Sequence, residues 1–208
     1  MPLLFSDSDP SVRVLDVCAL PMLHVHIGII NKAYTELIKI IPEAEDWPRC
    51  LNLVREGYHS GSFEGNECRA LLKNIDKLEK IIVASEHHDA GIKFISVFES
   101  FNRVITLVNE PVVDQIKLER AVMCFRHSWK ESEMSLTPKV HLVFDHLIDF
   151  VKSKNGRNMS IYSEQSHESL HAKFDKVWAK YKIKDIQQKN YGSHLLRAVL
   201  DFNGNYAK

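Results

Sequence analysis

Glycine and proline are scarce in this chain, at 8 and 7 of 208 residues. That excludes collagen-like and linker-like compositions and disfavours a turn-rich sandwich. The four cysteines, Cys18, Cys50, Cys68 and Cys124, are far apart and form no C-x-x-C pair. A sulfur-built zinc site and a secreted disulfide framework are therefore not expected. No run of 18 uninterrupted apolar residues occurs, so nothing is expected to span a membrane. The first residues, MPLLFSDSDPS, hold too short an apolar run and no basic region for a signal peptide. The chain reads as intracellular, with reduced thiols. Neither charge predominates, since basic and acidic residues number 27 each, and no global field points to nucleic acid or a lipid surface. What is present is ordinary for a folded protein: 45% apolar and 26% charged residues, enough for one domain with a sizeable core.

The neutral total conceals a division. Residues 151–208 carry 11 basic and 5 acidic side chains, a net +6, which leaves −6 on residues 1–150. Histidine, at 11, is abundant and raises the question of metal or proton chemistry.

Hydrophobic spacing gives the elements. Residues 12–20 (VRVLDVCAL) suit a short buried strand ended by Pro21. Leu23, Ile27, Ile30, Tyr34, Leu37, Ile38 and Ile41 then keep a helical period up to Pro42. Asp46 is placed to cap a helix in DWPRCLNLVREGY, and HSGSFEGN is the clearest loop. One helix is expected through ECRALLKNIDKLEKIIV, and another over 86–108 burying Phe94, Val97, Phe98, Phe101, Ile105 and Val108. Asn109-Glu110-Pro111 marks a new start with Asn109 as its cap, and Val112, Ile116, Val122, Phe125 and Trp129 form the next stripe. Thr137-Pro138 opens the cleanest amphipathic pattern, Val140 to Val151. Residues 153–160 form a polar loop, followed by a brief extended piece at Ile161-Tyr162. Ser163 caps a helix burying Leu170, Phe174, Val177, Trp178 and Tyr181, and a last helix covers about 191–203. The expectation is a single, mainly α domain of about seven amphipathic helices, with one or two short strands near 12–18 and 159–162.

Several clusters carry possible chemistry. His167-Glu168-Ser169-Leu170-His171 matches H-E-x-x-H, which on a helix sets two imidazoles on one face for zinc, with the glutamate activating water. A third ligand must then come from Asp175, Asp185, His194 or Asp201, because no glutamate follows Glu168. Glu164, His167, Glu168 and His171 share one polar face, fit for a divalent metal or acid–base work, or simply for water. In the segment ending Asp145-His146, His141 and Asp145 stand at i, i+4. Such a pair can tune a base or hold a metal ligand, although a surface hydrogen bond is the plainer reading. Cys18, His24 and His26 are close in sequence across a turn, and Glu86-His87-His88-Asp89 reads as a polar first helical turn. The loop glycines Gly57, Gly61 and Gly65 lack the phosphate-loop pattern. Lys173, Lys176 and Lys180 line the outer face of a helix and, with Lys182, Lys184 and Lys189, supply most of the basic excess. Lysines so placed can neutralise DNA phosphates, though an amphipathic helix must expose something polar in any case.

LPMLHVHIGIINKAYTEL, YHSGSFEGNECRALLKNID, LTPKVHLVFDHLIDF, IYSEQSHESLHAKFDKVW and NYGSHLLRAVLDFN, in that order, resemble the C-terminal part of invertebrate transposon-encoded proteins. The likeness covers about residues 12–205. Such proteins resemble cut-and-paste transposases whose ribonuclease-H-like core is interrupted by a helical insertion. The resemblance implies an Asp-Asp-Glu triad binding Mg²⁺ or Mn²⁺, with Asp16 as the second acid and Glu164 or Glu168 as the last. It further implies that residues 42–135 are the insertion and 136–208 a basic closing part, with DNA as partner and the nucleus as place of work. Only eleven residues precede the strand, too few for the upstream strands and first aspartate. The chain is thus expected to be a fragment or shortened derivative, catalytically incomplete alone and acting as a binding or assembly module, with a protein partner or second copy as further candidates. Two other readings stay open: a zinc-dependent hydrolase on His167, Glu168 and His171, and a structural helical adaptor without cofactor.

Overall fold

A computed structural model describes residues 20–55, 61–159, 173, 174, 176–181 and 190–206, with the side chains of 205 and 206 excepted. These residues are mainly helical, as the spacing predicts. Among them there is no strand, and Val112 and Arg157 form an isolated antiparallel bridge. The strand expected over 12–20 lies outside the described residues except for Leu20, and so does the piece at Ile161-Tyr162. By compactness the chain divides into two units, Met1–Ser163 and Glu164–Lys208.

In the first unit, α1 (Met22–Ile40) buries Val25, Ile29, Ile30, Ala33, Tyr34 and Leu37. A 3₁₀ turn (Pro42–Glu45) leads into the short α2 (Asp46–Arg49), then α3 (Gly65–Lys73), α4 (Ile75–Val83), α5 (His88–Val108) and α6 (Gln115–Glu131). The last part of the unit is α7 (Pro138–His141), a π turn (Leu142–His146) and α8 (Leu147–Ser153). Aromatic rings run through the core: Phe63 stands edge-on to Tyr34 at 5.1 Å, Trp47 to Phe98 at 5.2 Å, and Phe101 lies 4.9 Å from Phe125. Gly91 marks a close approach of α5 to α4, because a Cβ there would strike the γ-methyl of Ile82 and the δ-methyl of Ile41.

Several local expectations give way to tertiary partners. Asp46 is not a cap; it opens α2 behind the 3₁₀ turn and pairs with Arg49 at 3.0 Å, and the helix stops after one turn. The helix expected through ECRALLKNIDKLEKIIV breaks at Asn74 into α3 and α4. Asn74 bonds back through Nδ2 to the Ala70 oxygen, and its own carbonyl accepts the indole N–H of Trp47 at 2.8 Å. Asp114, not Asn109, caps α6 by accepting from the Lys117 N–H. Val112 and Ile116 therefore fall outside the buried stripe, at 77% and 65% exposed, and Leu118 and Ala121 take their place. Thr137 does cap α7, accepting from the Val140 N–H. Ser163 lies outside the described residues.

The loop that carries Phe63 is pinned to α1 by one side chain. Asn31 accepts the Phe63 N–H at 2.7 Å and donates to the Phe63 and Ile27 oxygens, both at 2.9 Å. Replacing it leaves the Phe63 N–H without a partner and the Phe63 oxygen with only the Cys68 thiol at 3.7 Å. Asn31→Ala should lower unfolding free energy by about 2 kcal/mol in urea titrations. Asn31→Asp should do no better, since it sets a carboxylate oxygen against two carbonyls. Values within about 0.5 kcal/mol of the unaltered protein would refute this role.

In the second unit, helical residues 173, 174 and 176–181 pair with α9 (Tyr191–Tyr206). Phe174 meets Phe202 edge-on at 5.5 Å, and Trp178 meets Tyr191 at 5.7 Å. Tyr181 Oη lies 3.3 Å from Asp201, while Val177 and Ala198 are buried.

Candidate functional site

Asp16, Glu164, His167, Glu168 and His171, the residues proposed for catalysis or metal, lie outside the described residues. The three lysines are described. Lys173, Lys176 and Lys180 are all exposed, and Val177 between them is buried, so the row occupies the outward side of its helix. Asp201 approaches the end of the row, 3.9 Å from Lys180 Nζ.

His26 is no ligand. It is 4% exposed beside the Phe101 ring in the core, and its Nε2 has no hydrogen-bond partner. Burial first, and the Arg69 charge second, depress its pKa to about 4. Cys68 is buried as well, and loss of hydration pushes its thiol up to about 12, leaving it unreactive at neutral pH. An open cleft of about 580 Å³ lined by Glu43, Asp46, Lys80, Ser85 and Glu86 gathers no nucleophile–base pair.

The most organised polar cluster surrounds the π turn. His141 closes α7, and its Nδ1 lies 2.7 Å from Asp145 Oδ2. Arg126 reaches across from α6, placing Nη2 2.7 Å from Asp145 Oδ1 and 2.7 Å from the Phe144 main-chain oxygen. The guanidinium also lies 5.0 Å above the Phe144 ring, which fixes its orientation. The Arg126 hydrogen bond, with a lesser part from His141, holds the Asp145 carboxyl below its usual range. With Asp145 an acceptor, His141 donates through its Nδ1–H, and its Nε2 is the nitrogen left to meet His146.

His146 completes the cluster. Its Nε2 lies 3.3 Å from His141 Nε2, with the rings nearly perpendicular at 88°. On a regular helix, residues five apart point about 140° away from each other. The π turn widens the coil so that i and i+5 stack, and π turns recur at functional sites. Spacing in the sequence thus finds the His141–Asp145 pair but misses His146, whose place depends on the turn. It also misses Arg126, whose contact crosses between helices. The cluster can hold a proton at a defined nitrogen or present two imidazole lone pairs to an electrophile. No family model, no characterised protein and no solved structure matches this chain.

Proposed function

We propose that the chain is a transposase-derived helical module that acts by binding DNA or by assembly, and is catalytically incomplete alone. The observation that carries the reading is the row of exposed lysines, Lys173, Lys176 and Lys180, opposite buried Val177. The first and last are seven residues apart on a helix, so the row extends over about 10 Å, the length of several phosphate spacings. Such contacts give sequence-independent, salt-sensitive affinity. The reading sets the place of work in the nucleus and leaves the metal chemistry of Asp16, Glu164 and Glu168 as ancestry. Among the described residues no helix is long and apolar enough to cross a membrane.

Duplex DNA titrated at two salt concentrations tests the proposal. Lys173/Lys176/Lys180→Gln should bind several-fold more weakly at low salt, and its salt slope should fall by about 1 for each phosphate no longer neutralised. Equal affinities and slopes for the two proteins would mean that this face only meets water. Mg²⁺- or Mn²⁺-dependent nicking abolished by Glu168→Gln would overturn the incompleteness instead.

A further inference from the structure

We propose that His141 and His146 form a surface site for a borderline divalent metal, Zn²⁺ above all, bound through both Nε2 atoms at the π turn. The distance suits two uses of the pair. At 3.3 Å the nitrogens are within reach of a long N–H···N hydrogen bond, which a bound ion would replace. Two imidazoles on a tetrahedral zinc, each about 2.0–2.1 Å from the ion, stand about 3.3–3.4 Å apart. The rings meet with centroids 5.0 Å apart and planes crossed at 88°.

The surroundings supply what such a ligand needs. Asp145 accepts the hydrogen bond from His141 Nδ1–H and so leaves Nε2 as the coordinating nitrogen, the carboxylate–histidine arrangement that recurs behind metal ligands. Arg126 holds that carboxylate from the opposite side, making Asp145 a positioning residue rather than a ligand. His141 and Asp145 are 49% and 40% exposed, so an ion can reach the site from solvent. Among the described residues no group of three or more histidine, cysteine, aspartate or glutamate side chains converges on a metal position. The described residues therefore provide two ligands, and water fills the remaining positions. Imidazole pairs of this kind favour Zn²⁺, Cu²⁺ and Ni²⁺ over Mg²⁺ and Ca²⁺, which prefer oxygen.

Calorimetric titration of the full chain, free of any histidine tag, with Zn²⁺ near neutral pH is the test. His141→Gln and His146→Gln should each weaken one binding event at least tenfold. Asp145→Asn should weaken it about 10- to 100-fold without removing a ligand. His167→Gln/His171→Gln should leave that event unchanged, which separates this site from the H-E-x-x-H helix. In the unaltered protein, Zn²⁺ should shift the Nε2 resonances of His141 and His146, a readout that needs no variant to fold. Unchanged isotherms for His146→Gln, or Nε2 shifts only at other histidines, would overturn the assignment. DNA affinity enters none of these measurements.

Discussion

Trp47→Ala should remove about 3–5 kcal/mol of unfolding free energy, a large part of the 5–15 kcal/mol typical of a folded domain. Trp47 is fully buried on a helix of only four residues, where its ring meets Phe98 edge-on and lies 6.4 Å from Tyr34. So short a helix has negligible stability of its own, and the side chain fastens it to the core. The indole N–H also donates to the Asn74 carbonyl at 2.8 Å, a shorter bond than the one that oxygen accepts from the Lys77 N–H at 3.2 Å. Trp47→Phe separates the two effects. It retains most of the apolar ring but leaves the carbonyl only its longer bond from the Lys77 N–H, at 3.2 Å, and should lose about 0.5–1.5 kcal/mol. Equilibrium denaturation in urea reads both. A loss below about 1 kcal/mol for Trp47→Ala would show that the α3–α4 break does not depend on this ring.

The same residue shows why the fold was only partly legible from the sequence. Long stripes were readable because burial of one face dictates them. Val25 to Leu37 on α1, Phe94 to Val108 on α5 and Val140 to Val151 across the π turn all follow that rule. Breaks were not readable, because distant partners decide them. Asn74 interrupts a good helical pattern where its carbonyl serves Trp47, 27 residues earlier. Asp114 takes the cap of α6 from Asn109, and Val112 pairs instead with Arg157. The candidate site divides in the same way. His141 and Asp145 sit at a spacing that any helix brings together, whereas the link to His146 requires a π turn that the α period does not foretell.

Acidification from pH 6.5 to pH 4 should cost the folded state about 3 kcal/mol through His26 alone. In the unfolded chain this imidazole titrates near 6.5, whereas in the folded core it resists protonation until about 4. Between those values the unfolded chain takes up a proton that the native state refuses. Stability is therefore complete above 6.5, declines as pH falls, and has lost the whole His26 contribution below about 4. Burial beside Phe101 is the main cause, and the Arg69 charge adds to it. No hydrogen bond to Nε2 is sacrificed by substitution, because that atom has no partner. His26→Leu should consequently hold its stability at pH 7 to within about 1.5 kcal/mol while flattening the decline between 6.5 and 4. Glu36, Asp114 and Asp145 do not confuse the measurement: their carboxyls are held below their usual values, so their losses fall at the acid end and are common to both proteins. The quantity to compare is the difference in urea-unfolding free energy between the two proteins at pH 7, 5.5 and 4.5. A difference that stays constant across these pH values would show that His26 is protonated as readily in the folded chain as in the unfolded one.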